Sequence, residues 1–151
     1  VIQINEENIE KITAHAEREY PFECGGMLIG RFEADGSKAI VETLPFENAR
    51  EEKDRHNRVL ILPTDVLKAE RYARERKLDV IGYYHSHPDD KAVPSQYDLE
   101  HALPVWSYII TSVIDGKAVD VRSWEMEDDR SKFNEEELER RHPAGTGSGI
   151  L

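Results

Sequence analysis

Only one cysteine, Cys24, occurs in this chain of 151 residues. No disulfide can form within it, which points to a reducing, cytoplasmic setting. Basic residues are the minority: 20 Lys and Arg stand against 31 Asp and Glu, for a formal charge of -11. Binding a phosphate backbone needs a basic surface, so no nucleic-acid partner is expected. Long apolar runs are also missing. No stretch approaches the roughly 18 consecutive apolar residues of a membrane span, and nothing from Val1 onward resembles a signal peptide. No internal repeat or shift in composition marks a second domain. One domain is expected over residues 1–142, followed by a Gly-rich tail over 143–151, PAGTGSGIL.

What is present alternates between helical and extended patterns. Val1 to Ile4 reads as a short strand. Asn5 then suits an N-cap, with Glu6 and Glu7 in the first turn, where negative charge is favoured. Ile9, Ile12 and Ala16 recur at helical spacing, which predicts a helix to about Glu19, ahead of Pro21. Gly25 to Glu33 and Lys38 to Phe46 make a hairpin about Asp35-Gly36. The polar run Glu47 to Asn57 is expected as a loop and Arg58 to Pro63 as a short strand. A second helix opens at Pro63-Thr64, where Val66, Leu67, Ala69, Tyr72, Ala73 and Arg76 supply a buried face and a charged one. Asp79 to His87 (DVIGYYHSH) is a buried strand that ends at its histidines. Pro94-Ser95 starts a third helix that stops near Pro104, and Trp106 to Met126 form a second hairpin at Asp115-Gly116. Phe133 to Arg141 (FNEEELERR) suits a helix by propensity or an edge strand by position. The order implies an α+β fold with a mixed sheet.

The chemistry concentrates in His85 to Asp98, HSHPDDKAVPSQYD. On a strand, residues i and i+2 share a face with Cα atoms about 6.6 Å apart, so His85 and His87 can converge on one ion. Pro88 cannot donate to a ladder and ends the strand there. The pair can equally be two surface or core histidines. Ser95-x-x-Asp98 is a capping box at a helix start, and a first-turn Asp98 also points back towards the strand end. Two His and one Asp leave a fourth zinc position open, the mark of a catalytic site. Such a site needs a base that is not a ligand. Glu23 is the candidate, since a charge at the start of an apolar strand is awkward, although a strand-edge glutamate in solvent fits the same position. Cys24 reads as packing, Trp106 and Trp124 as packing against the sheet, and His15, His56, His101 and His142 as surface or packing residues.

These residues resemble the JAMM (MPN-domain) metallopeptidase family, small single-domain prokaryotic type. Its signature is Glu, then His-Ser/Thr-His-Pro, six residues, Ser, two residues, Asp. Here it runs through His85-Ser86-His87-Pro88, residues 89–94, Ser95 and Asp98, with Glu23 in a Pro-x-Glu-x-x-Gly context. The likeness spans about residues 5 to 127. It implies a curved, partly barrel-like mixed sheet flanked by helices, the cytidine-deaminase-like architecture of the MPN domain. It also implies one Zn2+ per chain held by His85, His87 and Asp98, with Glu23 as general base and Ser95 stabilising the oxyanion. The implied reaction is hydrolysis of a peptide or isopeptide bond after the Gly-Gly end of a ubiquitin-like protein, a sulfur carrier in small relatives. No membrane partner is implied. The stretch Asn48 to Leu62 is the candidate wall for the substrate groove. Two other readings stay open: a non-catalytic MPN scaffold, and a RadC-like protein that associates with nucleic acid.

Overall fold

Asn5 closes the first strand, β1 (Ile2–Asn5), and caps the first helix, α1 (Glu6–Glu19); its side chain accepts the Asn8 N–H at 2.9 Å. The computed structural model describes residues 1–46 and 63–141. The loop expected at 47–57, the strand at 58–62, His56, His142 and the tail lie outside the described residues, as does the proposed groove wall at 48–62. The remaining elements are β2 (Gly25–Phe32), β3 (Lys38–Phe46), α2 (Pro63–Glu75), β4 (Asp79–Pro88), α3 (Gln96–His101), β5 (Ser107–Ile114), β6 (Lys117–Met126), β7 (Phe133–Glu136) and β8 (Leu138–Arg141). Both expected hairpins form, and their turns place Gly36 and Gly116 at positive φ, where a side chain would be strained.

The strands make one sheet in the order β7-β6-β5-β4-β2-β3-β1-β8. It is mixed: β4 runs parallel to β5, and β1 runs parallel to both β3 and β8, while the other pairs are antiparallel. The segment Phe133 to Arg141 resolves as two strands, not a helix. They border opposite edges of the sheet yet are joined through Glu137 alone, so the sheet must curl until its edges nearly meet. Propensity favoured a helix here, but pairing with the open edges overrides it. A buried cluster spans the curl. Lys38 Nζ on β3 lies 2.8 Å from Ser107 Oγ on β5 and 2.6 Å from Glu125 on β6, and Glu136 on β7 accepts from Ser107 and Ser123 at 2.6 and 3.0 Å. Strands that are not sheet neighbours meet at this cluster, where the buried ammonium is balanced by the buried Glu136 carboxylate at 3.5 Å and by Glu125, which is partly exposed. The α+β, partly barrel-like expectation is thus met.

Helices cover the two faces. Ile9, Ile12 and Ala16 of α1 pack on Leu28, Ile81, Tyr84 and Ile109, while Ala69 and Ala73 of α2 pack on Met27, Ile29, Tyr83 and Tyr108. Leu67 does not join that contact; it is 60% exposed, because the helix turns it away from the sheet. None of the helices among the described residues is long and apolar enough to cross a membrane.

His15 is buried on α1, its Nδ1 2.8 Å from the Tyr84 hydroxyl. Burial lowers its pKa, Arg18 lowers it further, and Glu19 opposes them. The proton therefore binds the unfolded chain more readily. His15 should contribute fully to stability above pH ~6.5 and progressively less below it, at up to about 1.4 kcal/mol per pH unit. Urea unfolding of the parent and His15→Gln between pH 8 and 5 tests this: the variant should show the shallower decline. Equal slopes would rule His15 out as the titrating group.

Candidate metal centre

Strand alternation points Tyr83, His85 and His87 to the α2 face of the sheet and Tyr84 and Ser86 to the other. His85 and His87 are both buried, with Nε2 atoms 3.2 Å apart. Tyr83 stacks on the His85 ring at 5.4 Å between centroids and holds it from one side. The His87 Nδ1 lies 2.9 Å from the Lys91 carbonyl. A carbonyl only accepts, so Nδ1 carries a proton, and once the ring is neutral its Nε2 lone pair is free for a metal. The Nδ1 of His85 is buried with no hydrogen-bond partner among the described residues.

The third donor arrives on α3. Ser95 caps this helix in a reciprocal capping box: its Oγ accepts the Asp98 N–H at 3.1 Å, and Asp98 Oδ2 accepts the Ser95 N–H at 2.8 Å. The Asp98 carboxylate then spans both histidines, Oδ1 3.2 Å from His85 Nε2 and Oδ2 3.3 Å from His87 Nε2. Ligands at 2.0–2.1 Å around a tetrahedral zinc stand about 3.3–3.4 Å from one another. The two imidazole nitrogens already have that spacing, and each has one Asp98 oxygen at it, so the residues fit the ion. Two imidazoles and a carboxylate also suit other divalent transition ions. Burial alone would raise the Asp98 pKa, but the charge of His85 and hydrogen bonds from both histidines and Ser95 hold it far below the usual carboxylate range. Burial alone would lower that of His87; Asp98 and the Lys91 carbonyl reverse the effect and raise it.

Glu23 is buried and joins His85, Ser95 and Asp98 in lining one cleft of about 810 Å3. The sequence had left a strand-edge glutamate in solvent as the alternative; burial disposes of it. Ser86 helps to place Glu23 there, alongside the pairing of Gly25 with His85, and its part was not disclosed by spacing alone. Its hydroxyl accepts the Cys24 N–H at 2.8 Å, and its own N–H donates to the Cys24 carbonyl at 3.1 Å. The serine between the histidines thus ties the Glu23 segment to β4 from the opposite face. Strand alternation predicts its inward direction, but no local signal names its partner. Burial pushes the Cys24 thiol up to about 12, in keeping with a packing role. Trp106 packs at the sheet as expected, and Trp124 sends its indole N–H to the Ala92 carbonyl at 3.0 Å. His15 is a packing residue and His101 is exposed, and neither approaches the three donors as a ligand.

The family of prokaryotic homologs of the JAB domain matches residues 5–127, a span that holds all five of these residues. The chain belongs to that family. Solved structures agree with the JAB fold. A protein from Salinibacter ruber is 34% identical over 97% of this chain and 94% of its own, with a TM-score of 0.72. One from Desulfitobacterium hafniense is 26% identical over 96% of each chain, at 0.81. A JAB1/MPN domain protein from Archaeoglobus fulgidus is 19% identical over 91% of this chain and 97% of its own, at 0.57, a likeness of fold. No curated protein matches. In this JAB domain, then, the end of β4 and the first turn of α3 bring together a group able to hold a metal ion, His85, His87 and Asp98.

Proposed function

We propose that this JAB domain is a zinc-dependent metallopeptidase that acts in the cytoplasm. Its substrate on this reading is a ubiquitin-like protein, a sulfur carrier first among them, cut at a peptide or isopeptide bond after Gly-Gly. The observation that supports it most is the convergence of His85, His87 and Asp98 in a cleft that Glu23 and Ser95 also line. An ion held by the three donors would supply Lewis acidity and bring the pKa of water towards neutrality. Glu23 takes the proton released as water attacks the carbonyl and delivers it to the amine nitrogen, so that the C–N bond breaks to a carboxylate and a free amine. Ser95 spends an acceptor site on the Asp98 N–H and keeps its O–H proton, which it donates to the oxygen that becomes negative in the transition state. Beyond these residues the cleft is mostly apolar, with Val66, Leu103, Val105 and Trp106 on its walls, which suits a protein segment. Glycines at the scissile end would let the substrate backbone approach the buried donors without a side chain in the way.

The test is intact-mass spectrometry of a ubiquitin-like sulfur carrier with residues appended after Gly-Gly, incubated with zinc-loaded protein. Release of the appended residues alone supports the reading. Zinc binding without cleavage would discard that substrate, and the absence of both would favour the scaffold reading.

A further inference from the structure

Helix α3 carries two of the five site residues, Asp98 within it and Ser95 at its cap, yet none of its own six residues is buried. Leu99 packs against the core only in part, so an apolar face, the usual anchor of a helix, gives just a share of what holds α3 over the histidines. Arg130 holds the helix's C-terminal end through the Glu100 and Ala102 carbonyls, and the loop before it holds the end that carries Ser95 and Asp98. Three successive carbonyls of that loop each accept a hydrogen bond from a side chain on a different strand. Asp90 accepts from Ser112 Oγ on β5 at 2.5 Å, Lys91 from His87 on β4 at 2.9 Å, and Ala92 from the Trp124 indole on β6 at 3.0 Å. Register makes this coherent. Ser112 stands opposite His87, and Trp124 stands opposite Tyr108, which is itself opposite Tyr83, so these donors rise from the face that carries the histidines. Asp89 completes the attachment: its N–H donates to Val113 O at 2.6 Å and its carboxylate accepts from Tyr20 at 2.7 Å.

We propose that Ser112 and Trp124 are positioning residues of the metal centre. They touch none of the three donor atoms. They hold the Asp90–Ala92 backbone to the sheet, and through it set α3 so that Asp98 meets the histidines and Ser95 faces the cleft. This inference rests on the metal reading above, but it also makes a claim about the metal-free chain. A carbonyl tether needs a donor, so Trp124→Phe removes it while keeping most of the ring, and Ser112→Ala removes its neighbour without adding bulk.

Both full-length variants should bind zinc about tenfold more weakly than the parent, in the range seen when groups behind metal ligands are removed. In the metal-free state, amide exchange at Asp98 and Leu99, whose N–H groups bond to Ser95, should rise by about tenfold. Exchange in β4 and β5 should stay as in the parent, which separates a shifted α3 from general unfolding. Parent-like zinc affinity in both variants would overturn the proposal, even if exchange rose. Should the parent take up no zinc, the metallopeptidase reading fails, and the exchange rates alone then decide whether these side chains hold α3.

Discussion

Glu23→Gln is expected to lower kcat about 10³-fold, the middle of the range for losing a general base and roughly 4 kcal/mol of barrier. Glutamine keeps the size and hydrogen-bonding reach of the side chain and removes only its capacity to take a proton. Zinc stoichiometry should remain one per chain, because Glu23 is outside the donor set of His85, His87 and Asp98. Substrate affinity should change by less than about threefold, since the lost interaction belongs to the transition state. The residue is buried, so a Gln that failed to fit would show itself as a lowered Tm, and the comparison is sound only where Tm stays with the parent. Single-turnover rates at saturating substrate are the measurement. Activity within tenfold of the parent would remove Glu23 from the proton path and leave the base to another carboxylate.

How much of this was readable before the structure depended on how far each signal reaches along the chain. The capping role of Asn5, the Asp35-Gly36 and Asp115-Gly116 turns and the Ser95-x-x-Asp98 box are all written within four residues, and each is found where spacing placed it. The two histidines follow from alternation on one strand. The edge strands β7 and β8 were obscure because their sequence, rich in Glu and Arg, has good helix propensity, and only a curled sheet with two open edges supplies the competing hydrogen bonds. Leu67 misled for a similar reason: an apolar residue among apolar neighbours can face water when the helix phase turns it away. Ser86, Ser112 and Trp124 were beyond reach for a different reason. Their partners are Cys24, Asp90 and Ala92, which lie 62, 22 and 32 positions away, and two of the three bonds are to a carbonyl that carries no residue identity. A motif records the groups that meet the ion, while the groups that hold the motif in place leave no fixed spacing.

The second large effect concerns metal and stability together. Asp98→Asn should weaken zinc binding by about 10²-fold or more, since the binding free energy of such ions, about 10–16 kcal/mol, is shared among few ligands and a neutral amide is a far poorer one. The substitution separates two tasks that one carboxylate performs. Asparagine can still accept the Ser95 N–H through its carbonyl, so the cap of α3 should survive and the metal-free variant should fold. It cannot offer an anion to both histidines at 3.2 and 3.3 Å. In thermal melts, zinc at 100 times the parent's Kd should stabilise the parent by about 2.7 kcal/mol, and the variant at the same concentration by less than about 0.5 kcal/mol. An equal zinc-induced rise in Tm for parent and Asp98→Asn would place the ion elsewhere, on donors that do not include Asp98. A variant that unfolds without zinc would instead show that the charge between the histidines is needed for the fold itself.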